Sequence, residues 1–209
     1  MIQIRNIVIG MCATNTYFVW NDEKNEGIII DPAGDSARII DKIEQYGFTP
    51  VAVFLTHGHF DHILAVDDLR DKYNVKVYIG VNDKDVLHNP EYNLTSSFMG
   101  QSFTLDADIY LQDDVSIFVA GYKIKCIEVP GHTPGGMCYY FENEAVLFSG
   151  DTLFCESVGR SDFPGGNGRA LYDGIRNKLF VLPDEVVVYP GHMESTSIGH
   201  EKQNNPFCS

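Results

Sequence analysis

Thr56-His57-Gly58-His59-Phe60-Asp61-His62 is the stretch whose reading decides this chain. Three imidazoles and a carboxylate occupy six consecutive positions, directly after the apolar run Val51-Ala52-Val53-Phe54-Leu55. Imidazole is the commonest metal-ligating side chain, and with carboxylate it suits first-row divalent ions. Side chains of an extended segment repeat every two residues, so His57 and His59 point the same way. A helix beginning at Asp61 would turn Asp61 and His62 toward a second point nearby. One short segment can thus begin two neighbouring metal sites. A polar loop is the bland alternative, and it suits isolated histidines such as His88 and His200.

The same arrangement recurs along the chain. Val51 to Thr56 runs into His57, Ile127 to Gly131 into His132, Ala145 to Gly150 into Asp151, and Val186 to Gly191 into His192. Each is a β-branched or aromatic strand stopped by Thr, Gly or Pro-Gly, with a metal-capable side chain immediately afterward. Loops at one end of packed sheets are where functional groups collect on a rigid scaffold. Singly, each has a plainer reading: a turn at Pro130-Gly131-His132, a helix cap at Asp151-Thr152, a surface residue at His192. Together with the histidine cluster they favour one metal centre.

Hydrophobic residues make up 44% and charged residues 21% of the 209 positions, so a folded core is expected and disorder is not. A single domain over residues 1–209 is expected, because no linker divides the chain. No apolar run reaches the ~18 residues needed to cross a bilayer. The opening, Met1 to Gly10, reads as a strand and not as a signal peptide. Five cysteines without regular spacing make no disulfide framework, which points to a reducing cytoplasm. Cys126 and Cys138 lie in strand-like runs, and Cys155 reads as a loop thiol close to Asp151. The net charge of −14 disfavours nucleic acid and an anionic membrane as partners.

Hydrophobic spacing predicts helices over 36–46, 63–73 and 169–180, with Gly47 ending the first. Strands are expected over 17–20, 27–30, 51–56, 76–79, 115–120, 122–129, 137–141, 145–148 and 186–189. Residues 82–106 read as a short helix and a long loop, and the residues after His192 as a polar tail.

The series His57-Gly58-His59-Phe60-Asp61-His62, His132, Asp151 and His192 resembles the metal-ligand series of the metallo-β-lactamase superfamily. Within it, the chain is similar to small bacterial glyoxalase II (hydroxyacylglutathione hydrolase) proteins. Supporting stretches are Gly27 to Pro32, Gly150 to Phe154, Gly159 to Gly166 and Ile198 to Phe207. The resemblance implies an α+β fold, an αββα four-layer sandwich with the metals at one edge. It places a first ion on His57, His59 and His132, a second on Asp61, His62 and His192, and Asp151 between them. Asp31 matches a position that supports the ligands; a second reading, not exclusive of the first, has it cap the turn before the helix at Ser36. Arg160 is a candidate contact for a substrate carboxylate, with an ion pair as the competing reading.

Two divalent ions, zinc first, with iron or manganese as alternatives, imply hydrolysis by a metal-bridging hydroxide. A bound ion lowers the pKa of water from about 15.7 to about 7. Asp61 would orient that hydroxide and take its proton. A thioester suits such a site because a thiolate, with a pKa near ~8.5, leaves without a strong general acid. Hydrolysis of a small-molecule acyl thioester is therefore the expected activity, with S-lactoylglutathione as the substrate the resemblance suggests. Longer glyoxalase II enzymes continue into a helical region that helps hold glutathione, whereas Met193 to Ser209 follow the last candidate ligand here. A mononuclear-iron persulfide dioxygenase is the main alternative, followed by a lactonase and a non-catalytic metal-binding module. A second departure is Met193, where similar small proteins often carry glycine.

Overall fold

The computed structural model describes residues Met1 to Cys208. One six-stranded sheet is formed by β1 (Ile2–Ile9), β2 (Thr14–Asn21), β3 (Glu26–Ile30), β4 (Thr49–Phe54), β5 (Lys76–Gly80) and β6 (Ile109–Leu111), in that order. The second sheet uses β7 (Ser116–Val119), β8 (Tyr122–Glu128), β9 (Met137–Phe141) and β10 (Val146–Gly150). After a two-stranded ribbon, β11 (Leu153–Phe154) and β12 (Ser157–Val158), come β13 (Val187–Pro190) and β14 (Thr196–Ser197). The order in the second sheet is β14-β13-β10-β9-β8-β7.

Three apolar clusters account for four layers. Ile28, Ile30, Ala52 and Phe54 of the first sheet meet Ile124, Met137, Tyr139 and Phe148 of the second. Ile29 and Val53, one residue out of phase, face the other way and pack on Ile39 and Ile43 of helix α1 (Ser36–Tyr46). This is the period-two alternation expected of strands covered on both faces. Leu147 and Val188 form the outer face of the second sheet against Leu171, Ile175, Leu179 and Ile198. The result is the αββα sandwich anticipated from the resemblance. Among the described residues, no helix is long and apolar enough to cross a membrane.

Strand direction then fixes where loops meet. β9 is antiparallel to both β8 and β10, and β13 is parallel to β10. β8, β10 and β13 therefore all end at the same edge. The loop after β4 is joined to that edge where Met137 N donates to Thr56 O at 2.8 Å and Tyr139 Oη donates to Leu55 O at 2.6 Å.

Helix α1 starts and stops as the sequence predicts, with Gly47 in the left-handed conformation (φ 76°) closing it. The helix expected over 63–73 is instead two pieces, α2 (Phe60–Ile63) and α3 (Val66–Tyr73), broken at Leu64-Ala65. Residues 82–106 hold two short helices, α4 (Lys84–His88) and α5 (Thr95–Met99), where one was expected. The predicted helix over 169–180 is α6 (Gly168–Gly174), continued by a wider turn over Ile175–Leu179.

The tail departs most from expectation. It forms β14 and helix α7 (Ile198–Asn204), capped by Ser197. Its anchor is Glu201, fully buried, which accepts from Thr196 Oγ1 at 2.6 Å, Glu156 N at 2.9 Å and Asn205 Nδ2 at 2.8 Å. A polar sequence hid this docking because the buried group is itself a carboxylate. Removing it strands three donors, and each such loss costs about 1–3 kcal/mol. Glu201→Ala is expected to lower the free energy of denaturant-induced unfolding by about 3 kcal/mol; a midpoint unchanged from the parent would show that the tail does not depend on it.

Candidate metal centre

The two sheets bring together all seven side chains singled out as candidate ligands. His57, His59 and His132 form one group, and Asp61, His62 and His192 another, each with its donor atoms within 4.8 Å of one another. In the first, His132 Nε2 lies 2.9 Å from His59 Nδ1 and 3.2 Å from His57 Nε2. In the second, Asp61 Oδ2 lies 3.6 Å from His62 Nε2 and 3.4 Å from His192 Nε2. Asp151 faces both: its Oδ2 is 3.5 Å from His132 Nε2 and 3.3 Å from His192 Nε2, and its Oδ1 is 3.5 Å from His62 Nε2. Nitrogen ligands about 2.0–2.1 Å from a tetrahedral zinc ion stand about 3.3 Å apart. Both groups therefore fit a divalent cation. His62 Nε2 and Asp151 Oδ1 are buried without a hydrogen-bond partner, and a cation would satisfy both.

Backbone and side-chain contacts aim three of these imidazoles. Asp31 accepts from Thr56 N at 2.8 Å and Thr56 Oγ1 at 2.7 Å, and its Oδ2 also receives His62 Nδ1 at 2.9 Å. With its hydroxyl hydrogen committed to Asp31, Thr56 Oγ1 accepts from His57 Nδ1 at 3.1 Å. His132 Nδ1 donates to Arg160 O at 2.6 Å. In each case the outer nitrogen has an acceptor for its proton, which leaves Nε2 to present a lone pair when a cation is bound. Asp31 thus supports the group and does not cap the α1 turn. That task falls to Asp35, which accepts from Arg38 N.

Charge divides the site in two. Desolvation holds His57 and His59 well below the usual histidine range, and neighbouring imidazoles add to the effect. For His62, burial pushes the same way but Asp61, Asp31 and Asp151 outweigh it and raise it to about 9. Burial pushes Asp61 up, yet His62, His192 and the Thr14 hydroxyl hold it well below the usual carboxylate range. One half is a neutral nitrogen set; the other is rich in carboxylate.

Asp83 was not foreseen. It is fully buried and accepts from Gly58 N at 2.9 Å and Gly135 N at 2.6 Å. It thereby ties the His57-Gly58-His59 turn to the loop that carries His132. Burial pushes its carboxyl up to about 6, against those two donors. A lone aspartate in an irregular stretch gave no signal of this. Thr14, also unforeseen, donates to Asp61 Oδ2 at 3.0 Å.

The remaining candidates fall where geometry allows. Arg160 lines the cleft but pairs with Asp162 at 2.8 Å and sits over the Phe163 ring at 4.2 Å. Met193 adopts φ 68°, the conformation glycine favours, and its carbonyl accepts from Asn15 Nδ2 at 2.9 Å. The position therefore takes the left-handed conformation without glycine. Cys155 lies apart from the centre, beside His200 and Glu201. The segment 82–106 borders the cleft without filling it: a space of ≈ 140 Å³ opens over His59, Asp61, His132 and Asp151.

This fold, with a histidine–aspartate centre between sheet edges, defines a class of metal-dependent proteins. The family model described as the metallo-beta-lactamase superfamily matches residues 9–192, and the chain belongs to that family. It is 35% identical over 206 residues to "Probable metallo-hydrolase YqgX" of Bacillus subtilis, covering 98% of this chain and 97% of that protein. Hydroxyacylglutathione hydrolase GloC of Haemophilus influenzae is 35% identical over 198 residues, covering 93% and 92%. The crystal structure of BLEG-1 B3 metallo-beta-lactamase superposes with a TM-score of 0.94 at 39% identity, covering 99% of this chain and 100% of that one.

Asp83→Ala is expected to free two buried amides. Hydrogen exchange should then accelerate at Gly58 and Gly135 while most sheet amides keep their protection. The folded carboxyl holds its proton to a higher pH than the unfolded one, so its contribution is largest at low pH. That contribution declines as pH rises from the ordinary value of 3.8 through about 6. The stability difference between parent and variant should shrink across that window; a difference that grows with pH would reverse the assignment.

Proposed function

We propose that this protein is a metal-dependent hydrolase of acyl thioesters. The observation that carries the reading is the pair of donor groups that share Asp151 and open onto a cleft. Two divalent cations bound there would supply Lewis acidity that ionises water near neutral pH and offsets negative charge growing at an acyl oxygen. Zinc suits the nitrogen-rich donors, and iron or manganese fit them as well.

The chain's own groups do the rest. Thr14 Oγ1 donates to Asp61 Oδ2 and helps keep the carboxylate ionised, so that Asp61 can accept an O–H of the attacking water and direct it at the carbonyl carbon. Phe163, packed against His59 and His132 at ring distances of 5.5 and 6.2 Å, walls the site from bulk water. The thiolate, with a pKa near ~8.5, departs without a dedicated acid. Arg160 stands at the rim, available to a substrate carboxylate only in exchange for Asp162. Similarity to GloC supports the thioester reading. Similarity to BLEG-1 B3 metallo-beta-lactamase supports a second one, hydrolysis of a lactam amide, which uses the same attack on an acyl carbon.

Freshly isolated protein is expected to contain about two divalent ions per chain. Chelation should abolish thioester hydrolysis, and returning zinc should restore it. Hydrolysis that survives chelation would rule the reading out. One iron per chain with oxygen uptake on glutathione persulfide would favour the oxygenase alternative, and faster turnover of a cephalosporin would favour the lactam one.

His59→Ala or Asp151→Ala should each lose metal and reduce turnover by about 10³-fold, the several kcal/mol a Lewis acid supplies. Circular dichroism should show the fold retained. Full occupancy and activity in either variant would remove these residues from the site.

A further inference from the structure

Part of the cleft lining is made of rings. Phe60 stacks on Phe98 with centroids 5.4 Å apart at 19°, and Phe98 meets Phe163 edge-on at 6.3 Å. Phe163 in turn contacts the His59 and His132 rings. An apolar shelf therefore begins at the candidate ligands and runs outward to Phe98, which is 49% exposed. Leu94 completes it. What sets Phe98 apart from other exposed apolar side chains is its continuity with Phe60 and Phe163 at the cleft mouth, since contiguous apolar surface marks binding sites.

The shelf is built, not incidental. Buried Asn93 accepts from Thr95 N at 3.0 Å and Thr95 Oγ1 at 2.7 Å, and donates to Phe103 O at 2.8 Å. Its own carbonyl receives Phe60 N at 2.8 Å, which locks the segment to the start of α2. Between these anchors Leu94 is held at φ 69°, a backbone region that leucine disfavours. Strain of this kind persists where the surroundings over-determine it, and it concentrates at ligand-binding positions.

Charge points the same way. A glutathionyl group carries two carboxylates against one ammonium, and cationic side chains are the strongest partners for the carboxylates. Besides imidazoles, Arg160 is the one cationic side chain lining the cleft among the described residues, and Asp162 holds it through Nε at 2.9 Å and Nη2 at 2.8 Å. The chain as a whole is at −14. The cleft of ≈ 140 Å³ is apolar only on the side of Phe60, Leu94, Phe98 and Phe163.

We propose that the substrate is a thioester carrying an uncharged apolar arm, and that Phe98 and Leu94 select it over a glutathione thioester of a small polar acid. The proposal rests on the thioester reading above. Hydrolysis breaks the C–S bond and forms a C–O bond from water. One water proton ends on the departing thiol and the other goes to solvent, leaving a carboxylate.

The test uses four thioesters, phenylacetyl and lactoyl, each on N-acetylcysteamine and on glutathione, with the full chain loaded with zinc. Phenylacetyl-N-acetylcysteamine should exceed S-lactoylglutathione in kcat/KM by about tenfold or more. The two mixed thioesters show whether the acyl or the thiol side occupies the shelf. Phe98→Ala should cut that preference about tenfold at an unchanged melting temperature, and Phe98→Lys should turn it toward glutathione. Equal or better turnover of S-lactoylglutathione, or a preference insensitive to both variants, would overturn the proposal.

Calorimetry with the non-hydrolysable benzyl thioether of N-acetylcysteamine separates shelf from chemistry. Binding by the parent that Phe98→Ala weakens, with none of the four esters hydrolysed, would keep the shelf and defeat the thioester reading. No binding and no hydrolysis would defeat both.

Discussion

Seven polar side chains pressed together beneath a protein surface are the constraint on which the rest depends. His57, His59, His62 and His132 are buried, and Asp61, Asp151 and His192 nearly so, at contact distances that leave no room for mutual hydrogen bonds in every direction. Burying such groups without compensation costs more than a fold of this size can spare. Part of the compensation is visible: Asp31, Thr56 and the Arg160 carbonyl take the outward-facing protons. The inward-facing donor atoms gather in two groups, each of which would suit a cation.

That convergence follows from sheet topology. Three of the delivering strands point the same way in one sheet because an antiparallel strand separates two of them and the third pairs in parallel. The fourth, β4, comes from the other sheet and is held across the gap by backbone and tyrosine hydrogen bonds. Asp83 adds a strut between the two histidine-bearing loops. Position is set by rigid strands, and orientation by buried acceptors outside the ligand set.

Much of this was legible in the chain itself. The short motif at 57–62 and the strand-then-ligand pattern at 132, 151 and 192 are local features, and local features survive in sequence. Helix α1 was equally readable because Ile39 and Ile43 keep helical spacing and Gly47 supplies its stop. What stayed hidden was carried by long-range contacts. Asp83 looks like any loop aspartate until Gly58 and Gly135 are brought to it. The tail looked polar because its docking rests on a buried glutamate and one isoleucine. The aromatic shelf depends on Phe60, Phe98 and Phe163 meeting from separate segments, which no spacing rule anticipates.

Anomalous diffraction at the zinc and iron edges, from crystals of protein isolated with its own metal, probes the centre most directly. Two peaks about 3.5–4 Å apart are expected, one among His57, His59 and His132, the other among Asp61, His62 and His192, with Asp151 reaching both. A single peak, or metal bound away from these side chains, would contradict a paired-cation centre.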